Sequence, residues 1–290
     1  MLDQSAPCCP FCSTSLRDVF NVRVHSVREC VECDYRRCDS NQISEQHLAE
    51  HYDDKYFFGG GAGYQDYLSE QQLLTQHGRR YGELLNKYTS AGDLLDVGAA
   101  AGFLMQGLNE AGWKSHGIEP NLAMCEFARQ EFGHSMHCAC LEKCDTERQF
   151  DAITMIQVVA HFHDLNRALE AAAKQTKPGG HWLIESWNFR SLSARVFGKH
   201  WHEYSPPTVL HWFSPSGLER VAALFGMELI AQGRPKKYIN GEHAKSLLRY
   251  RLATSRLGRI ALPAMNCLPD KLRIRYPAED LFWMLLQKRG

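Results

Sequence analysis

The chain reads as an α/β protein on a doubly wound, mostly parallel sheet, preceded by a small zinc-ribbon-like segment. Three observations predict this. Short apolar runs alternate with amphipathic stretches from residue 93 onward, glycines punctuate the ends of those stretches, and two CxxC pairs lie near the N-terminus. Regular alternation of strand and helix specifies a parallel sheet covered by helices on both faces. The 290 residues leave room for one domain with an appendage or for two domains. The expected division is a ribbon-like segment over 1–42, a linker and helical cap over 43–92 and a nucleotide-type core over 93–232. A basic helical insertion with the final core strand is expected over 233–290.

The elements follow in order. Six of the eleven cysteines fall within the first 38 residues, among them Cys9-Pro-Phe-Cys12 and Cys30-Val-Glu-Cys33. Two CxxC turns at this separation bring four thiolates to one tetrahedral zinc ion, with Cys9, Cys12, Cys30 and Cys33 as ligands. Val19, Phe20, Val22, Val24 and Val27 between them supply strand formers. A segment this short has too little core to fold unaided, so the metal would supply its stability. Ser13 and Asp34 stand where such knuckles often carry glycine. Cys138, Cys140 and Cys144 lack paired spacing and read as packing.

Leu94 to Val97 forms a buried strand, and Leu104, Leu108 and Ala111 mark a helix that Gly112 ends. Lys114 to Ile118 is the second strand, followed by a helix from Leu122 to Phe132 closed by Gly133. Ala152 to Ile156 is a strand and Leu165 to Ala173 a helix. Lys177-Pro-Gly-Gly180 is a stop before a strand at Trp182 to Ile184. Ser214-Pro215 caps a helix bearing Leu218, Val221, Ala222 and Phe225, and the last strand is expected over Leu281 to Gln287.

Ligands of such sheets bind at the carboxyl ends of the strands, where the strand order reverses. The first strand ends in Asp96-Val-Gly98-Ala99-Ala100-Ala-Gly102, a loop of small residues that a ligand can approach closely. Ala100 and Phe103 stand where a dinucleotide fingerprint would have glycine, and the Gly-Lys-Ser/Thr of a phosphate loop is absent. The loop therefore suits a small zwitterion better than a pyrophosphate. Glu119 ends the second strand, where a carboxylate can accept both hydroxyls of a ribose.

With these residues in view, the chain resembles the class I S-adenosylmethionine-dependent methyltransferases, whose core is Rossmann-like. The likeness is carried by Leu94–Gly102, Gly117-Ile-Glu-Pro-Asn121, Phe150-Asp-Ala-Ile153 and Lys177-Pro-Gly-Gly180. More narrowly, it is similar to a branch with an N-terminal zinc-binding segment, assigned to small metabolites, sugars and natural products. Tyr56-Phe-Phe, Val158-Val-Ala-His161 with Asp164, and Pro206-Pro207 leading to Trp212-Phe-Ser214 carry that narrower likeness. The resemblance implies S-adenosylmethionine as cofactor. The loop from Asp96 to Gly102 would hold its methionine end, Glu119 and Pro120 its ribose side, and Cys140 and Leu141 its adenine. Gln157 and His161 would lie beside the sulfonium. Tyr56, Tyr64 and Tyr67 fit an aromatic lid over the cofactor or packing within the cap. Two departures stand out: Ala160 replaces a frequent Glu, and Thr208-Val209 replaces a Glu-His pair.

A base is needed if the acceptor is a hydroxyl, amine or carbon acid, and histidine suits that work near neutrality. His161 is the first candidate and His211 the second, with His163, His200 and His202 behind them. The expected acceptor is a small molecule, with anionic and carrier-bound acids among the options. The alternative is RNA modification: residues 231–290 hold 13 Lys and Arg against 4 Asp and Glu, much of it in Lys245 to Arg259. Against RNA, Gln157-Val-Val-Ala-His161 lacks the Asn/Asp-Pro-Pro-aromatic signature of base-amine methylation, and no Pro-Cys or Thr-Cys nucleophile follows the fourth or fifth strand. The 33 basic and 33 acidic residues cancel, so no global field draws the chain to nucleic acid or membrane. No apolar run approaches the roughly 18 residues of a membrane span, and the start resembles no secretory leader, so a cytoplasmic location is expected. The oligomeric state is not legible.

Overall fold

The computed structural model describes residues 8–38, 70–144, 146–236, 238–239, 274–275 and 278–290. From the N-terminus, β1 (Arg17–Val22), β2 (His25–Cys30) and β3 (Tyr35–Cys38) make an antiparallel meander. After α1 (Gln71–Leu85) the chain alternates: β4 (Asp93–Val97), α2 (Phe103–Glu110), β5 (Lys114–Glu119), α3 (Leu122–Phe132), β6 (Ser135–Cys138), β7 (Phe150–Ile156), α4 (Leu165–Lys174) and β8 (Thr176–Trp187). Then come α5 (Leu192–Phe197), β9 (His211–Phe213), α6 (Pro215–Ala223) and β10 (Met227–Gly233). A two-strand pair, β11 (Tyr238–Ile239) and β12 (Ile274–Arg275), and β13 (Leu281–Lys288) complete the described chain.

Local chemistry sets these boundaries. Asn121 caps α3 by accepting from the Met124 amide at 2.9 Å, and Gly133 ends it at φ 65°. Asp164 caps α4, and Ser214 caps α6 with Pro215 in the first turn. Seven strands make the central sheet in the order β10-β13-β8-β7-β4-β5-β6. β4 to β8 are parallel, and β13 runs antiparallel between β8 and β10. Leu94, Ile153, Leu183, Ile184, Leu285 and Leu286 are fully buried, as strands covered on both faces require. From β4 the chain builds outward through β5 and β6, then crosses to β7 on the other side. The carboxyl ends of β4 and β7 therefore border the switch point.

One expectation is corrected. Lys177-Pro-Gly-Gly180 does not precede the strand but lies inside β8, whose pairing with β7 jumps from Phe150↔Thr176 to Ala152↔His181. The extra residues bulge outward with Gly179 at φ 74°, and Lys177 Nζ reaches Asp151 at 2.8 Å.

The N-terminal sheet also departs from a free-standing ribbon. Its fourth strand is β9, paired with β3 through Tyr35↔Phe213, Arg36↔Trp212 and Arg37↔His211. Phe213 in turn bridges to Asn188 just beyond β8. The buried Glu29 carboxylate of β2 meets Arg17 at 3.0 Å and Arg36 at 2.7 Å within the ribbon, and Arg190 of the core at 3.1 Å.

Candidate active site

β4 leaves the sheet through a loop in which three residues turn left-handed: Gly98 at φ 70°, Ala100 at φ 45° and Gly102 at φ 78°. A Cβ on Gly98 would lie 2.9 Å from Val158 Cγ2, so glycine is required there for space as well as for conformation. Ala100 is not the neutral replacement for glycine that its small size implies. A left-handed alanine costs about 1–2 kcal/mol, and the loop holds it there by donating the Ala100 amide to Glu119 Oε2 at 3.0 Å. Ala99 and Ala100 are buried beneath this turn, and α2 starts directly after Gly102.

The two carboxylates of the loop differ in their surroundings. Glu119 Oε1 accepts from the Asn121 amide at 2.9 Å, so each oxygen is oriented by one backbone N–H and keeps a further lone pair. Burial raises its pKa, opposed by those two amides. Asp96 Oδ1 accepts from Thr154 Oγ1 at 2.6 Å, whereas Oδ2 is buried with no hydrogen-bond partner among the described residues. Burial pushes the Asp96 carboxyl up to about 7, with Thr154 lowering it and the Glu119 charge raising it further. A buried acceptor of this kind demands a donor, and a cation satisfies it best. Pro120 is exposed at the mouth of β5, Cys140 is half-buried beyond β6, and Leu141 packs into the core. Tyr67, like Tyr56 and Tyr64, lies outside the described residues, as does Lys245 to Arg259.

Beyond β7, Gln157 sits at φ 59° and donates its side-chain amide to Glu185 Oε1 at 3.0 Å. Tyr81 of α1 donates its hydroxyl to the other oxygen of that carboxylate, which is fully buried. Sequence reasoning missed this network. The visible signal was a lone acid inside the apolar run Trp182-Leu-Ile-Glu185-Ser-Trp187. His161 follows, half-buried, with Nδ1 2.7 Å from the Thr208 carbonyl. A carbonyl only accepts, so in this contact Nδ1 carries the proton. Burial lowers the ring's pKa, while the Thr208 and Gln157 backbone oxygens favour its protonated form.

His211, the second candidate base, has a different place. Its Nδ1 is 2.6 Å from Tyr35 Oη and its Nε2 2.7 Å from the Phe162 carbonyl. Burial first, and the neighbouring Arg37 charge next, bring its pKa to about 3. A ring engaged at both nitrogens in this way joins ribbon to core.

The four knuckle cysteines converge. Their sulfurs all lie within 4.8 Å of one another, with Cys12 and Cys30 separated by 3.4 Å and Cys9 and Cys33 by 3.8 Å. Zinc with ligands at about 2.3 Å in a tetrahedron sets sulfurs roughly 3.8 Å apart, so the quartet fits that ion. The Cys33 amide points at Cys30 Sγ at 3.4 Å. Both non-glycine knuckle positions are left-handed, Ser13 at φ 60° and Asp34 at φ 49°. No other group of metal-ligating side chains is found among the described residues.

The sheet order and the loop at its switch point define a class I methyltransferase architecture with a Rossmann-like core. The family described as "Methyltransferase domain" matches residues 70–232, more than half of the chain, and the chain belongs to that family. Among curated proteins it is similar to ubiquinone biosynthesis O-methyltransferases. That of Bradyrhizobium sp. (strain ORS 278) is 29% identical over 126 residues, covering 41% of this chain and 47% of that protein. That of Nitrobacter winogradskyi is 30% identical over 124 residues, covering 41% and 46%. The chain thus spans about half the length of the curated relatives it matches. Among solved structures it is similar to the 1,6-didemethyltoxoflavin-N1-methyltransferase of Burkholderia thailandensis, crystallised with bound 1,6-didemethyltoxoflavin and S-adenosylhomocysteine. That match has a TM-score of 0.53 at 11% identity, covering 94% of this chain and 99% of the other. An S-adenosylmethionine-dependent methyltransferase of Archaeoglobus fulgidus matches with a TM-score of 0.51 at 16% identity, covering 77% and 99%. Both are likenesses of fold. Among the described residues no helix is long and apolar enough to cross a membrane.

Proposed function

We propose that the chain transfers a methyl group from S-adenosylmethionine to a hydroxyl of a small acceptor, with His161 taking the proton. The observation that carries this reading is the pair of buried carboxylates at the β4–β5 edge, one with an unsatisfied oxygen and one presented by two backbone amides. Asp96 Oδ2 would pair with the α-ammonium of the cofactor and Glu119 would accept the ribose hydroxyls. Ala99, Ala100 and Gly102 would line the methionine end, with Pro120, Cys140 and Leu141 around the nucleoside. When bound, S-adenosylmethionine supplies a methyl group already activated on a sulfonium, so the protein's task is alignment and proton removal. Alignment in a closed site is worth about 7–11 kcal/mol. Gln157, held by Glu185, would orient groups at the methyl end. His161, whose burial lowers its pKa and whose Nδ1 is tied to Thr208, would take the acceptor's proton.

The activity of the curated relatives, O-methylation in ubiquinone biosynthesis, supports a hydroxyl on a small molecule as the class of acceptor. The Cys9, Cys12, Cys30 and Cys33 quartet would hold a structural zinc ion. Incubation of purified protein with methyl-labelled cofactor, hydroxyl-bearing small molecules and, separately, RNA tests the reading. Label should pass to a small acceptor, with S-adenosylhomocysteine released. Protein that binds no S-adenosylhomocysteine, or that labels RNA alone, would overturn it.

A further inference from the structure

The segment carrying His161 is held by the ribbon. We propose that Tyr35 and His211 are positioning residues through which the zinc ribbon fixes His161 and the acceptor side of the site, leaving the cofactor side independent. This rests on the reading of His161 as the acceptor-side base.

The connections form one chain of contacts. The second knuckle is docked on the first turn of α6: Ser214 Oγ and Arg190 both donate to the Asp34 carboxylate, Arg190 Nη2 at 2.6 Å. Arg220 donates to the Glu32 carbonyl at 2.8 Å, and Gly217 is so close that a Cβ there would lie 2.2 Å from the Asp34 carbonyl oxygen. From that knuckle β3 runs along β9, and the Cys38 amide continues the ladder to the Leu210 carbonyl at 2.8 Å. Residues 210–213 therefore have one edge on the ribbon. Phe213 bridges to Asn188 beyond β8, and a further set of contacts goes to the segment after β7. The Leu210 and His211 amides both donate to the Ala160 carbonyl, at 2.8 and 3.2 Å, and the Thr208 carbonyl receives His161 Nδ1.

One side-chain relay crosses the same seam. Tyr35 Oη donates to His211 Nδ1, and His211 Nε2–H donates to the Phe162 carbonyl, the residue next to His161. The direction of the relay is fixed, because the Phe162 oxygen can only accept. The Tyr35 ring is fully buried against Phe11 of the first knuckle and Phe213 of β9, with centroids 5.3 and 5.0 Å away. Knuckle geometry is thereby transmitted to both neighbours of the His161 backbone. None of these ribbon contacts involves Asp96, Gly98, Ala100 or Glu119, whose hydrogen bonds go to Thr154 of β7, to Ile118 of β5, to each other and to the Asn121 amide. The two halves of the site are separately supported.

The test uses the full chain. The Nδ1 proton of His161 is hydrogen-bonded and half-buried, so it should give a slowly exchanging imidazole signal by NMR. In Tyr35→Phe, which keeps the ring and removes only the hydroxyl, that proton should exchange about 3- to 10-fold faster. S-adenosylhomocysteine affinity by calorimetry should stay within about twofold and kcat should fall by about 3- to 10-fold. Removing the knuckle metal with a chelator should abolish the His161 signal while S-adenosylhomocysteine still binds, which covers the case in which Tyr35→Phe does not fold. A His161 signal that persists in both samples overturns the proposal. So does loss of cofactor affinity alongside the signal, since the ribbon would then support the whole site. The NMR readout needs no turnover: wild-type protein that fails to methylate refutes the enzymatic reading while the link between ribbon and His161 is judged on its own.

Discussion

Replacing Asp96 with asparagine separates the charge of the cofactor side from its shape. Asp96 Oδ1 is committed to Thr154, Oδ2 is buried without a partner among the described residues, and the carboxyl is held up to about 7 chiefly by burial. A cationic ligand group beside Oδ2 favours the ionised form, so below that pH binding must release a proton. Affinity for S-adenosylhomocysteine, which carries the α-ammonium without the sulfonium charge, should rise about tenfold per pH unit below about 7 and then level off. The ligand's α-ammonium, that of a free amino acid, stays charged through neutrality, so the plateau extends above about pH 7. Asp96→Asn keeps an oxygen for Thr154 but cannot titrate. Its acid limb should vanish, and its best affinity should fall by roughly 10- to 150-fold, the equivalent of one charge-assisted hydrogen bond at about 1.5–3 kcal/mol. Calorimetry in buffers of different ionisation enthalpy reads affinity and proton release together. The same shift has the opposite sign for folding. A carboxyl whose folded pKa lies above its unfolded value of about 3.9 favours the ligand-free fold most at low pH, and that contribution is lost as pH climbs toward 7. A wild-type affinity flat between about pH 5.5 and 7, or an acid limb that survives in Asp96→Asn, would refute the reasoning.

Three further outcomes follow from the geometry. Glu119→Ala should weaken S-adenosylhomocysteine binding by roughly 10- to 150-fold, because it removes the proposed ribose acceptor and frees the amide that holds Ala100 left-handed; unchanged calorimetric affinity counts against that role. Elemental analysis should find one zinc per chain, and Cys30→Ala or Cys33→Ala should lose it; metal-free protein with an intact ribbon contradicts the assignment. Gly217→Ala forces a methyl group against the Asp34 backbone and should cost about 1–3 kcal/mol, seen as a lowered Tm with zinc retained; a variant as stable as wild type shows that the knuckle moves aside freely.

The amino-acid sequence by itself determined the class of fold, because that information is local. The spacing of apolar residues, Ser214 as a cap, Gly133 as a stop and the paired cysteines each act within a few residues of where they stand. The same locality explains why Glu119 and the Asp96 to Gly102 loop could be singled out: each lies at the end of a legible strand. It also explains the misplaced Lys177-Pro-Gly-Gly180, where a breaker sequence is carried as a bulge because β7 pairs on either side of it. What only the tertiary structure decided is long-range pairing. His211 and His161 are both histidines near the same sheet edge, yet a tyrosine 176 positions away holds one ring between ribbon and core, while the other turns its Nδ1 to the Thr208 carbonyl. Glu185 joins Tyr81 across 104 positions, and Asp34 finds Ser214 across 180. Burial of a polar atom and the identity of its partner depend on which elements meet in space, and no window of sequence contains both sides of such a contact.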